Sequence, residues 1–303
     1  MNPWTPLIAA TLGWGLSNVL SKAVLNEDVD TFSFLPARYL IGLVALTGFL
    51  AATGRLRRPE PRAWSKGVVL GLINMSLPTI LMTKGLEFIP ATVGSLLIAL
   101  IPIATVAAAH FVVPGERFQP RTLPGLLLSL VGVAFLINGG TDVVPVLSDL
   151  VIGVSLTTAG VVLAGLGGAV SRRFTFTTPS SHMVLPQFVS GFFVLLVGLA
   201  VFGREGGIAQ IEPNVWWLIL ASGALGTAVP FAAFLFAAEH NPASRLAATG
   251  YAVPVLATIG AIVFLGETFT VEMLTGAALI MAGVYWSERA ARYVPTPGVR
   301  STA

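Results

Sequence analysis

No cysteine occurs among the 303 residues, which excludes a disulfide framework, a thiolate metal site and a cysteine nucleophile. Histidine is nearly as scarce. His110, His182 and His240 are the only three, and none has a partner at metal-ligand spacing. Nucleophile elbows, phosphate loops and paired-aspartate motifs are missing too, so no catalytic residue, metal site or cofactor is expected. Charge is thin as well: Asp, Glu, Lys and Arg make up 10% of the chain, against the ~25% of an ordinary soluble domain.

What is present is apolar, at 55% of residues and a mean hydropathy of +0.85. Charges are absent from Thr122 to Thr141, Leu150 to Ser171, Met183 to Gly203, Pro213 to Ala238 and Leu246 to Gly266. Each run is about 20 residues or more, enough for a helix rising ~1.5 Å per residue to cross a ~30 Å hydrocarbon core. One such run is compatible with a soluble core; five with similar flanking segments describe a polytopic membrane protein. Breaking the apolar text at charged and Pro/Gly-rich punctuation predicts ten spans: 4–24, 32–53, 66–84, 91–113, 122–139, 149–170, 183–202, 214–237, 243–265 and 271–287. The opening MNPWTPLIAA lacks the basic n-region of a signal peptide, so the first apolar segment is expected to be retained as a span.

Lys and Arg set the orientation. With the N-terminus in the cytoplasm, Arg55, Arg57, Arg58, Arg62, Lys66, Arg117, Arg121, Arg172, Arg173, Arg245, Arg289, Arg292 and Arg300 all fall inside. Only Lys22, Lys84 and Arg204 sit near the outer face, with Arg38 within a span. This bias predicts that both termini are cytoplasmic.

Almost the same four residues close one apolar run and the run five spans later: GERF at 115–118 and GETF at 266–269. The surroundings repeat as well. Glu87, Pro90, Ala91 and Pro102 match Glu239, Pro242, Ala243 and Pro254 at an offset of 152 residues. After a one-residue slip, Gly115, Glu116, Phe118, Leu123, Gly125, Leu128 and Gly132 match Gly266, Glu267, Phe269, Leu274, Gly276, Leu279 and Gly283. The period covers five spans, an odd number, so the second copy must enter the membrane from the opposite side. The expected fold is therefore an all-α integral membrane protein of ten transmembrane helices, arranged as two inverted five-helix repeats. These occupy 1–140 and 149–289, with a cytoplasmic tail at 290–303. Inverted repeats characterise secondary transporters, whose halves enclose a site near the bilayer midplane.

At this level of detail the chain resembles the EamA family of the drug/metabolite transporter superfamily. The likeness rests on WG at 14–15 with Lys22 and Arg38 in the first two spans, and on Pro-Ala followed by Pro at twelve-residue spacing. It rests also on Gly-Glu before a Gly-bearing last span, and it covers nearly the whole chain. The second half departs early: WG becomes AG at 164–165, and the place of Arg38 is taken by Gln187 or Phe188. The resemblance implies a central cavity built mainly from spans 1, 3, 4, 6, 8 and 9, and export of metabolites such as amino acids across the bacterial inner membrane. Relatives in plants, plastids and the Golgi move sugar phosphates and nucleotide sugars.

Several residues are candidates for that pathway. Trp14, Ser17, Asn18 and Ser21 recur at helical spacing, either as cavity lining or as interhelical hydrogen-bonding groups. Asn74 needs a partner in hydrocarbon, and Pro78 four residues on suggests a broken helix. Tyr251 is too deep for an interfacial belt, while Phe231 and Phe234 are cavity or core. Lys22, Arg38, Glu87, Arg172, Glu239 and Arg245 are gate candidates or simply snorkelling side chains. Pro78, Pro102 and Pro254 are hinge candidates, since each removes a helix hydrogen bond. No Asp or Glu stands in a span midsection, so coupling through a midplane carboxylate is not expected. The implied partners are a small-molecule substrate and membrane lipids, with no nucleic acid, in a monomer or homodimer. Export of neutral or aromatic amino acids leads, ahead of a multidrug exporter or a sugar-phosphate or nucleotide-sugar exchanger. A membrane enzyme acting on lipid-linked substrates would need clustered carboxylates or histidines at one face, which the chain does not have.

Overall fold

The computed structural model describes residues 4–56, 58–116, 119–141, 146–240 and 243–291; the side chains of 140, 141, 238–240, 243–249, 251, 288 and 291 lie outside the description. Among these residues every element is helical, and ten helical rods follow one another: α1 (Trp4–Asn26), α2 (Thr31–Ala52), α3 (Pro61–Leu86), α4 (Ala91–Val112), α5 (Leu123–Thr141), α6 (Leu147–Thr175), α7 (Ser180–Phe202), α8 (Trp216–Gly223 continuing to Val229–His240), α9 (Ala243–Leu265) and α10 (Val271–Ala291). Eight stretches are long and apolar enough to cross a membrane, and Ala252–Leu265 and Val271–Ser287 add two shorter apolar stretches in α9 and α10. Side chains on the bundle's perimeter are apolar although exposed, among them Phe111 at 84%, Phe264 at 70% and Phe202 at 66%. A perimeter of that kind is suited to lipid and not to water. The chain is a multi-pass membrane protein.

Several helices run past the predicted span limits. α3 begins at Pro61, α6 ends at Thr175 and α10 reaches Ala291. Backbone hydrogen bonding continues past the apolar text, and the added turns carry Arg62, Arg172, Arg173 and Arg289.

The two halves pack on one another in matched pairs. α1 lies against α9 as α6 lies against α4, and α1 against α8 as α6 against α3. α5 packs on α10 and α2 on α7. The glycines that repeat in sequence are the contact points. A Cβ built on Gly132 or on Gly276 would fall 2.7 Å from the other's carbonyl oxygen, and Gly125 and Gly283 meet at least as closely. Gly125 facing Gly283 while Gly132 faces Gly276 makes α5 and α10 antiparallel. Close backbone approach through small residues is how helices associate where lipid removes the hydrophobic drive.

The same relation joins the other helices. Gly15 of WG sits against Leu256, and Gly165 of AG sits against Ala104. Ala104 and Leu256 are themselves 152 residues apart. Gly71 packs on the carbonyl of Gln187, and its mate Gly223 packs on the carbonyl of Arg38. Gln187, not Phe188, is therefore the structural counterpart of Arg38.

Three rods are interrupted. α3 and α8 each widen into a π-helical segment, Gly71–Ser76 and Ala224–Ala228, followed by Pro78 and Pro230. In each, a hydroxyl takes the carbonyl five residues back: Ser76 Oγ donates to Gly71 O at 2.7 Å, and Thr227 Oγ1 to Ser222 O at 3.2 Å. α4 breaks at Ala99–Leu100, just before Pro102. Its mate α9 runs without a break through Pro254, so the two prolines, though matched in sequence, act differently on their helices.

Candidate functional site

A cavity of about 160 Å3 lies inside the bundle. α1 contributes Trp14, Ser17, Asn18 and Ser21, one face at helical spacing, and α2 contributes Arg38 and Tyr39. α3 provides Asn74, Met75, Thr79, Met82, Thr83 and Leu86, and the π segment of α8 and its following turn provide Gly226, Thr227 and Phe231. The side chains of 243–249 and 251 on α9 lie outside the description; among the described residues, helices 4 and 6 contribute none of this lining, unlike the expected cavity of spans 1, 3, 4, 6, 8 and 9. The reason is the glycine face of α6. Gly167 abuts Asn74, Gly165 abuts Ala104 and Gly160 abuts Met82 and the Pro78 carbonyl, so α6 closes on α3 and α4 without leaving space.

Arg38, expected among the gate residues, stands in the cavity wall instead. It is buried, 6% exposed, on the turn after Phe34. Its Nε donates to Thr227 Oγ1 at 2.9 Å, Nη1 to Ser21 Oγ at 2.8 Å, and Nη2 to Ser17 Oγ at 2.6 Å and to the Gly226 carbonyl at 3.4 Å. The guanidinium carbon also lies 5.8 Å from the Tyr39 ring and 5.9 Å from the Phe34 ring. Removing a guanidinium from water costs several kcal/mol, which four hydrogen bonds and two ring faces offset only in part. No carboxylate among the described residues pairs with it.

The aromatic side of the cavity is a stack. Trp14 meets Phe231 edge-on at 5.7 Å, Phe231 meets Phe188 at 4.9 Å, and Phe234 supports Trp14 from behind at 5.1 Å without lining the cavity. Asn18 reaches across to Ser95 of α4 at 3.4 Å, and Tyr39 exchanges a hydrogen bond with Thr79 at 2.9 Å. Tyr251, Glu239 and Arg245 lie on described backbone, but their side chains are outside the described set.

Charged groups gather at the two ends of the bundle. At one end, Glu87 Oε1 accepts from Thr31 N and Oγ1 (3.1 and 2.6 Å), while Oε2 pairs with Lys84 at 2.7 Å. This carboxylate ties the end of α3 to the N-terminus of α2, where Asp30 also caps. Lys22 donates to the Leu86 carbonyl at 2.7 Å, at the rim of the cavity, within Coulomb reach of Glu267 and Glu87. Glu267, the acid of GETF, accepts from Ala91 N and Thr92 N at 2.7 and 2.8 Å and so caps α4. Sequence reasoning found this glutamate only as half of a repeat; its cap partner lies 176 residues away in sequence. At the other end Glu116, the acid of GERF, pairs with Arg172 at 2.6 Å. Repeat-matched charges thus stand at the two ends, but of these only Arg172 and Glu116 form an ion pair, while Lys22 is within Coulomb reach of Glu267. The Arg204–Asp28 pair is exposed on both sides and contributes little; its hydrogen bond and charge hold the guanidinium pKa above its usual value.

A buried polar cavity between helices of both halves, with ion pairs at each end, is a transporter's geometry. The profile of the EamA-like transporter family matches residues 6–138 and 151–288. The chain belongs to the EamA-like transporter family. Among its relatives, an uncharacterized transporter of Bacillus subtilis is 24% identical over 92% of this chain and 94% of its own length. A protein of Streptantibioticus cattleyicolor named as a probable terminal-alkyne amino-acid exporter is 27% identical over 85% of this chain and 86% of its own. A crystal structure of a protein at 21% identity superposes with a TM-score of 0.66, covering 96% of this chain and 99% of the other, which shows the fold alone.

Proposed function

We propose that this EamA transporter exports small neutral or aromatic amino acids across a bacterial inner membrane by alternating access of two inverted five-helix repeats. The observation that carries the reading is the cavity itself. It is walled by α1, α2 and α3 of one half and by α8 of the other, and both halves bring a π-helical segment to or beside it. Segments of this kind recur at functional sites, where an unwound turn lends polar groups to a ligand. The antiparallel packing of the repeat-mate helices α5 and α10 supports inversion, because a two-fold axis along the membrane normal would make them parallel.

Size and chemistry favour a small metabolite. About 160 Å3 is below the ~300–1,000 Å3 of clefts that hold drug-sized molecules. Trp14 and Phe231 supply an apolar wall for a side chain, and Asn18, Asn74 and Thr79 supply polar contacts. A similar protein named as an amino-acid exporter agrees with that choice. The ion pairs serve as gates: Lys84–Glu87, with Lys22, closes the periplasmic mouth, and Glu116–Arg172 the cytoplasmic one. The excess of Lys and Arg in one set of loops supports a cytoplasmic position for both termini. Lipid surrounds the apolar perimeter of a monomer or homodimer.

Efflux from proteoliposomes preloaded with labelled amino acids, sugar phosphates or cationic drugs tests the proposal. Saturable efflux of neutral amino acids, reduced at least tenfold in Trp14→Ala and Asn74→Ala, is the expected result. Efflux of only sugar phosphates or only drugs overturns it.

A further inference from the structure

We infer that Arg38 is the anchor for the substrate's carboxylate, which makes the site selective for a single carboxylate against its uncharged amide. The inference rests on the amino-acid reading and deepens it. The guanidinium is buried in the cavity wall, and all four of its hydrogen-bond acceptors are neutral: three hydroxyls and the Gly226 carbonyl. Four of its five N–H groups are used, and the second N–H of Nη1 has no acceptor among the described residues. An ion in that position with no carboxylate partner among the described residues is costly to the protein alone, and an intramembrane charge of this kind marks a substrate path.

The surroundings select the ligand. Nη1 and Nη2 present a planar fork that matches a carboxylate, and the Ser17 hydroxyl bonded to Nη2 can turn aside for one. The repeat makes the site one-sided. At the matched position of the second half stands buried Gln187, so inversion supplies no second guanidinium there. Lys22, which donates to the carbonyl of the lining residue Leu86, is also within Coulomb reach of Glu267 and Glu87. One cation suits a monoanion; a phosphate dianion calls for two or more. Once the carboxylate is held on α1, α2 and α8 together, the apolar part of the ligand meets Trp14 and Phe231.

Thermal stabilisation of the purified protein in detergent is the direct test. The probes are L-alanine and L-phenylalanine, their carboxamides, and glycerol 3-phosphate. In the wild type the acids are expected to bind ~10–100-fold more tightly than the amides, the range for a charge-assisted forked contact. Arg38→Gln should abolish this preference while leaving amide binding in place, and Arg38→Lys, which keeps the charge but not the fork, should restore only part of it. Ser17→Ala removes the competing acceptor and is expected to tighten acid binding; it decides the matter if neither Arg38 variant folds. Equal binding of acids and amides by the wild type, an unchanged preference in Arg38→Gln, or stronger stabilisation by glycerol phosphate than by the acids overturns the inference. Acid binding through Arg38 without amino-acid efflux from proteoliposomes leaves the anchor standing and removes the export reading. Amino-acid efflux with an unchanged acid preference in Arg38→Gln does the reverse.

Discussion

Glu267→Ala is expected to destabilise the protein by an amount that the geometry of one helix end sets. The first segment of α4, Ala91–Ile98, is only eight residues long before the break at Ala99–Leu100. Its first intrahelical bond is Gly94 N to Pro90 O, which leaves the N–H groups of Ala91, Thr92 and Val93 without helical acceptors. Glu267 takes the first two at 2.7 and 2.8 Å, and both donors belong to residues that are 0% exposed. Truncation therefore leaves two buried donors unsatisfied, at about 1–3 kcal/mol each, and removes a carboxylate from a helix N-terminus, worth roughly 0.3–1 kcal/mol. Partial entry of water brings the expected loss to about 3 kcal/mol. At roughly 2 °C per kcal/mol for a chain of this size, the apparent Tm in detergent should fall by ~6 °C. Glu267→Gln keeps the shape and one neutral acceptor, and should lose about half as much. Exposed Glu205→Ala is the control, with a change within ~1 °C. An Ala variant as stable as the wild type, or a Gln variant as damaged as the Ala variant, would refute the capping argument.

Further expectations follow from the packing and the topology. Gly132→Val places a branched side chain where a single Cβ already falls 2.7 Å from the Gly276 carbonyl, so α5 and α10 should separate and the folded yield in the membrane should fall severalfold, as read by size-exclusion chromatography. Cysteines at Ser65 and Ser180 should be shielded from an impermeant thiol reagent in intact cells, whereas one at Ala209 should label; the cysteine-free chain makes the assay clean, and external labelling at Ser65 would reverse the proposed orientation. Glu87→Gln removes the Lys84 ion pair and weakens the bonds to Thr31, so a cysteine at Thr79 in the cavity should become several-fold more reactive from the outside; unchanged reactivity would leave Glu87 a structural tie between α2 and α3.

The sequence by itself determined that the chain lives in a membrane, because long charge-free runs leave no other solvent for their side chains. It also determined that two five-span copies are present, since matched Gly, Glu and Pro positions at one offset survive as residue identities. The matched glycines then turned out to be the contacts, Gly125 on Gly283 and Gly132 on Gly276, because only residues without side chains let two backbones approach that closely. Other features depend on how helices cross. The position of Arg38 on α2 tells its depth but not its direction; it lines a cavity because Ser17 and Ser21 of α1 and Thr227, 189 residues away, converge on it. The cap on α4 is likewise supplied from the far end of the chain. The identity of Gln187 as the mate of Arg38 was ambiguous by one position in the sequence, and a one-residue shift on a helix turns a side chain by about 100°, so only the contacts of Gly71 and Gly223 could choose. Matched prolines gave no warning that α4 breaks where α9 does not, because a proline removes one hydrogen bond in either helix and the surrounding packing decides whether the rod bends, breaks or runs on.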